Sequence, residues 1–308
     1  MHVLVTGGAG FIGSHVVDHL RARGDEVTVL DSLVTGDERR VPDGVTLLRR
    51  DIREPGLDGI LRERPIDAIA HLAAQIDVRI SVDDPGEDAD VNVRGTIQVA
   101  QAAVRAGVPT LVFASSGGAI YGEQAVFPAT EDHPTAPCSP YGCAKLAGEK
   151  YLAYFGMEYD LDVRLMRYAN VYGPRQDGRG EAGVVGIFCR TLLDGGTARI
   201  FGDGEQTRDY VFVEDVARAT VAALHPGGQR AYNVGTGVET DVNTLYELVA
   251  GELACETPAR REPAKPGEQR RSVIDAAALR RDYDLPPFVP FPEGIRRTVA
   301  WFRGGAVR

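Results

Sequence analysis

Tyr141 and Lys145 are the pair of side chains in this chain best placed to move a proton. They follow Ser139-Pro140, a helix-opening signal in which Pro140 suits the first turn and Ser139 the N-cap. At i and i+4 they share one helix face. An ammonium beside a phenol favours the phenolate and draws its pKa down from about 10, which makes Tyr141 a candidate general base. Upstream, Leu111-Val-Phe-Ala-Ser115-Ser116 reads as a strand ending in two hydroxyls, and Ser116 is placed to hydrogen-bond the same substrate hydroxyl.

A second constellation supplies a place for a redox cofactor. Val3-Leu-Val-Thr-Gly-Gly-Ala-Gly-Phe-Ile-Gly13 is an apolar run broken by Gly7, Gly10 and Gly13 and followed by a helical pattern. A second strand then ends in Asp31, 18 residues after Gly13. In a dinucleotide site Gly7 permits the tight turn, Gly10 admits the pyrophosphate and Gly13 lets helix and strand pack closely. Asp31 accepts both ribose hydroxyls and repels a 2′-phosphate, so NAD is expected over NADP; Arg39 and Arg40 lie too far on to reverse this.

These groups need a scaffold, and the apolar periodicity provides one. Strands are expected at 3–6, 27–30, 46–49, 68–72, 110–114 and 162–167, with helices at 14–23, 56–63, 84–106 and 141–159 between them. This alternation predicts an α/β fold, a doubly wound parallel sheet with helices on both faces, over residues 1–170. Beyond it the rhythm breaks into Gly- and Pro-rich loops with helices near 184–194, 214–224, 243–253 and 292–302. A smaller mixed domain is expected at 171–308, with the stretch around 210–236 returning to the first sheet.

Composition excludes several classes. The 308 residues are 44% hydrophobic and 25% charged with a formal net charge of −10, and no basic stripe suited to nucleic acid is present. The first strand begins where a secretory leader would lie, and no apolar run approaches ~18 residues, so a cytoplasmic protein without membrane partners is expected. Cys138, Cys143, Cys189 and Cys255 have neither metal-ligand nor disulfide spacing.

The motifs together resemble the extended short-chain dehydrogenase/reductases (SDRs), and within them the UDP-glucose (UDP-galactose) 4-epimerases, over nearly the whole length. The resemblance rests on Thr6 to Gly13, Asp51-Ile52, His71-Leu-Ala-Ala74, Asn92, Ser115-Ser116 with Tyr121-Gly122, Tyr141-x-x-x-Lys145, Arg167-Tyr-Ala-Asn170-Val-Tyr-Gly-Pro and Gly202-Asp-Gly-Glu-Gln-Thr-Arg208-Asp-Tyr210. It implies an NAD-dependent isomerase that oxidises a UDP-hexose at C4 and reduces the 4-keto sugar from the opposite face. Asp51 and Ile52 would meet the adenine and Leu72, Ala73 and Ala74 would line the cofactor channel. Phe11, Ile12, Asn92, Ser115 and Tyr168 would complete that site. Asn170 would hold the sugar diphosphate, Val185 and Phe188 the uracil region, and Glu268 the uridine ribose. Arg208 would grip the diphosphate, which suits a planar guanidinium. Ser272 falls near a gate position, where a small side chain leaves room for an N-acetyl group. A homodimer through the helices at 84–106 and 141–159 is implied.

One departure stands out: counting four back from Tyr121 reaches Gly117, where many members carry Ser or Thr, which leaves Ser116 as the nearest hydroxyl. Gly118 and Ala119 stand where related dehydratases carry an acidic pair, and decarboxylases of the family use Glu at the position of Ala119, so neither reaction is expected. UDP-glucuronate is the rival substrate, with Arg79, Arg175 and Arg179 as candidate carboxylate partners. From a different class, a non-catalytic NAD-binding sensor would keep the fold without turnover.

Overall fold

Successive side chains along a strand point to opposite faces, and the first strand, β1 (His2–Thr6), uses this fully: Val3 and Val5 enter one buried cluster and Leu4 another. The same division runs through β2 (Glu26–Asp31), β3 (Thr46–Arg49), β4 (Ala68–His71), β5 (Thr110–Ser116) and β6 (Asp162–Tyr168). The computed structural model describes residues 1–177, 183–225, 227–228, 230–264 and 269–304. After the short strands β7 (Asn170–Tyr172), β8 (Arg199–Phe201) and β9 (Thr207–Phe212), β10 (Ala231–Val234) joins the first six. The seven form one parallel sheet in the order β10-β6-β5-β4-β1-β2-β3. The winding reverses between β1 and β4, which is where such sheets open a crevice at their C-terminal edge.

Helices cover both faces. α1 (Phe11–Ala22) lies on one; α2 (Leu57–Glu63) lies on the other, reached by way of β3. α3 (Val78–Asp83), α4 (Pro85–Ala89), α5 (Thr96–Ala106), the one-turn α6 (Gly117–Ile120) and α7 (Pro140–Glu158) follow, and α5 and α7 pack beside α2 through Val99, Ala103, Leu152 and Phe155. The fold is therefore the Rossmann-type doubly wound sheet expected from the strand and helix rhythm. The helix expected at 84–106 is instead divided: Asp84 caps α4 by accepting from Glu87 N at 2.9 Å, and a π-helical turn, Asp90–Gly95, separates α4 from α5.

The second half builds α8 (Val184–Leu193), α9 (Val213–Ala222), α10 (Val242–Leu253), α11 (Ala277–Asp282) and α12 (Phe291–Arg303). α8, α10 and α12 bury a separate core with β8 and β9, while α9 packs on α1 and β10 extends the main sheet. β9 pairs with β7, with β11 (Glu239–Asp241) and with β13 (Arg271–Ser272); β12 (Arg260–Glu262) pairs with β8. Among the described residues no helix is long and apolar enough to cross a membrane.

Candidate functional site

The turn after β1 has the geometry that its glycines suggest. Gly7 sits at φ +71°, in the left-handed region, and a Cβ on Gly13 would stand 2.1 Å from the Gly7 carbonyl oxygen. Gly10 is the N-cap of α1 and offers no side-chain cap, so the first N–H groups of the helix are left for a ligand. Asp31 is buried and accepts from Ala9 N (3.0 Å) on one oxygen and from Leu33 N (2.8 Å) on the other. Each oxygen keeps a second lone pair. A cavity runs from this turn across the C-terminal strand ends. Its walls include Gly7, Gly10, Phe11, Ile12, Gly13, Asp31, Asp51, Ile52, Leu72, Ala73, Ala74, Ser115, Tyr141, Lys145 and Tyr168. The uncapped helix end and the acid at the tip of β2 in one cavity fit a dinucleotide. Arg39 and Arg40 are not among its lining residues, and Arg39 is tied to Asp37.

Ser32, Thr35 and Arg50 also line the cavity and carried no motif in the sequence. They lie in the segments after β2 and β3, whose path depends on the sheet. Asp51 is held charged by Arg53, whose Nη2 donates to it at 2.8 Å, and its carboxyl lies below the usual range. Arg53 also reaches Glu87 and Asp90, so this end of the cavity is clamped to α4 and the π turn. Asn92, expected at the cofactor, does not line the cavity. Its buried amide accepts from Gln75 N (3.0 Å) and donates to Gln75 O (2.8 Å) and to Asp88 (2.9 Å), so it pins the loop after β4 from behind.

At the other end of the cavity, Ser139 Oγ accepts from Gly142 N at 3.1 Å and starts α7. α7 approaches the end of β5 closely: a Cβ on Gly142 would lie 2.7 Å from Ala119 O. Tyr141 consequently lies near the Ser116 hydroxyl, whose pull on the phenol oxygen favours the phenolate. Lys145 differs from expectation. Its Nζ donates to Ala114 O at 2.9 Å, 5.8 Å from the centre of the Tyr141 ring. Burial therefore dominates the phenol and pushes it up to about 12, with Ser116 pulling down and Asp88 adding to the rise. Burial likewise brings the Lys145 ammonium down to about 8.

Gly117 has a steric reason to lack a hydroxyl. A Cβ there would stand 3.0 Å from the Ile274 side chain and 3.3 Å from Arg167 O. Behind Ser116 lies a buried network centred on Glu149, which the sequence did not mark: Ser115 Oγ donates to Glu149 Oε1 (2.5 Å), Glu149 pairs with Arg167 through two bonds (3.0 and 2.8 Å), and Arg167 donates to Tyr121 OH (2.9 Å). Glu149 continues the face of Tyr141 and Lys145 by one more turn. Tyr168 reaches the cavity with its ring, while its hydroxyl is spent on Thr220 at 2.7 Å.

The residues expected at the sugar nucleotide are scattered by comparison. Asn170 is exposed, with its Oδ1 3.6 Å from where a Cβ of Gly118 would lie, one turn from Ser116. Arg208 and Ser272 are register partners on β9 and β13, and Ser272 is buried. Val185 and Phe188 are both 1% exposed and pack in the core of α8, α10 and α12. Arg175 is engaged with Asp18 of α1 at 2.6 Å. Glu268 and Arg179 lie outside the described residues.

Residues 3–235 match the model of the NAD dependent epimerase/dehydratase family. The chain is 48% identical over 309 residues to a UDP-glucose 4-epimerase of Mycolicibacterium smegmatis, covering 98% of this chain and 99% of that one. It superposes with a TM-score of 0.96 on the UDP-glucose 4-epimerase of Thermotoga maritima with UDP-glucose, at 42% identity and 99% of both chains. For the Thermus thermophilus UDP-glucose 4-epimerase in complex with NAD the TM-score is 0.94 at 45% identity, over 99% of this chain and 100% of that one.

Proposed function

The chain belongs to the NAD dependent epimerase/dehydratase family of extended SDRs, and from that premise we infer that it is an isomerase, an NAD-dependent 4-epimerase of a UDP-hexose. The observation that carries this reading is the placing of Tyr141 and Lys145 in the wall of one cavity with an uncapped helix N-terminus and Asp31. NAD, held by the Gly7–Gly13 turn, Asp31, Asp51 and the 72–74 wall, supplies a hydride acceptor and donor and a positive charge that favours the phenolate.

Tyr141 takes the proton of the C4 hydroxyl and returns it when the 4-keto sugar is reduced on its other face. Ser116 donates to the phenol oxygen and steadies the developing phenolate. Lys145 orients the cofactor from its place on the Ala114 carbonyl, and its charge supports the phenolate at longer range. Arg208 and Asn170 hold the diphosphate side, and the small Ser272 leaves room for an N-acetyl group, so UDP-GlcNAc and UDP-GalNAc are accepted beside UDP-glucose and UDP-galactose. The main sheet, residues 1–170 with the returning strand β10, holds the cofactor, and the remainder holds the UDP-sugar.

The chain works as a homodimer in the cytoplasm. Supporting this, Tyr151, Tyr154 and Tyr159 near the end of α7 are about half exposed and, with Ile97 and Val104 of α5, form an apolar hollow between the two helices that a second copy fills. Incubation with UDP-galactose, UDP-GlcNAc and UDP-glucuronate in turn, read by proton NMR, tests the proposal. C4 inversion of the first two is expected. Inversion of UDP-glucuronate alone would transfer the reading to a uronate epimerase, and bound NAD without any turnover would favour a sensor.

A further inference from the structure

Asp88 lies on α4, fully buried against α7, and its surroundings are unusual for a carboxylate. Oδ1 accepts from Gln75 Nε2 (2.9 Å) and Asn92 Nδ2 (2.9 Å), whereas Oδ2 has no hydrogen-bond partner among the described residues. An unpartnered carboxylate oxygen inside a protein is costly, which calls for a nearby compensating charge.

The charged and titratable groups that face this region can be counted off by element. α7 contributes Tyr141, Lys145 and Glu149, α3 with its cap contributes Asp77, Arg79 and Asp83, and the π turn contributes Asp90 and Arg94. Glu149 is committed to Arg167 through two bonds, and His71 is neutral. On the flanks of Asp88, Glu87 and Asp90 point away to Arg53. Of the cations, Arg94 donates to Asp90 and Arg79 is exposed, whereas Lys145 is buried and its ammonium donates to a backbone carbonyl, so Lys145 is the buried cation available to balance Asp88.

We propose that Asp88 is a positioning residue, the buried counter-charge that keeps Lys145 an ammonium and sets the pH at which Tyr141 becomes a phenolate. This rests on the reading of Tyr141 as the base. A negative charge at Asp88 favours the ammonium and opposes the phenolate, so its removal moves both titrations the same way. The site thereby trades some ease of phenolate formation for a lysine that stays charged at working pH.

The test is Asp88→Asn in the NAD-loaded protein, which retains an oxygen for Gln75 and Asn92 and loses the charge. Asp88→Ser removes the same charge with a smaller side chain. Two readouts are compared with the unaltered protein: the pH profile of kcat/KM with UDP-galactose, and the phenolate absorbance of Tyr141 near 295 nm, taken as the difference from the same protein carrying Tyr141→Phe. Both limbs of the profile and the absorbance midpoint should move to lower pH by about one unit in both variants. Unmoved midpoints, with only lower kcat or lower Tm, would overturn the proposal and leave Asp88 a structural residue. The absorbance shift does not depend on the sugar. Its appearance in a protein that turns over no UDP-sugar would therefore keep Asp88 and remove the epimerase reading, while turnover without any shift would do the reverse.

Discussion

Lowering the pH from 7 to 5 should destabilise this protein well before its carboxylates titrate, because two histidines are folded away uncharged. His71 is fully buried on β4: Thr96 donates to Asn92 O and so accepts from Nε2–H, and Thr6, which accepts from Ala73 N, donates to Nδ1. Burial brings His71 down to about 3. His15 of α1 donates to Pro174 O at 3.0 Å, and burial brings it down to about 4. Each folded pKa lies below the unfolded value of about 6.5. The unfolded chain therefore takes up protons first, and stability is lost as the pH falls through 6.5 and on toward the folded values. Between pH 7 and 5 the loss is about 2 kcal/mol for each histidine, about 4 kcal/mol for the pair, a large share of the ~5–15 kcal/mol that holds a typical domain together. Urea unfolding at fixed protein and NAD concentration, followed by far-UV circular dichroism and by the single tryptophan, Trp301, measures it. His71→Asn and His15→Gln will be less stable at pH 7, but each should lessen the difference between pH 7 and 5 by about 2 kcal/mol. A pH difference unchanged by either variant would refute the assignment of these rings as neutral, buried groups.

Other perturbations separate chemistry from support. Tyr141→Phe should lower kcat by about 10²–10⁴ while Tm and NAD content stay unchanged. Ser116→Ala should move the acid limb of the kcat/KM profile to higher pH, since the hydroxyl it removes favours the phenolate. Gly142→Ala places a Cβ 2.7 Å from Ala119 O and must push α7 from the end of β5; kcat should fall by about tenfold or more through displacement of Tyr141, with KM little changed. Glu149→Gln leaves the buried Arg167 without its counter-ion and should cost about 3–5 kcal/mol in urea unfolding.

What could be read in advance was local in the chain. The Gly7–Gly13 turn, Asp31 and the Tyr141/Lys145 face each depend on a few neighbouring residues whose spacing sets their geometry, and so do the six main strands. What could not be read depends on what folds back on what. Asn92 faces inward because a π turn interrupts the helix that carries it, and Val185 and Phe188 face a core because α10 and α12 cover that side of α8. Glu149 and Asp88 look like ordinary surface acids in a sequence one quarter charged; only packing removes them from water. The strands of two or three residues, β7, β8, β11, β12 and β13, owe their existence to distant partners and carry no periodicity of their own.

On the proposed mechanism the configuration at C4 is inverted by removing and returning the same hydrogen, with Tyr141 handling only the hydroxyl proton. The direct measurement is conversion of UDP-galactose deuterated at C4, in ordinary water, with NMR and mass detection of the product. Inverted UDP-glucose that retains its deuterium at C4, formed by the unaltered protein and lost in Tyr141→Phe, is the predicted result. Product that has exchanged the C4 deuterium for solvent hydrogen would contradict the account, as would the absence of inversion with NAD supplied.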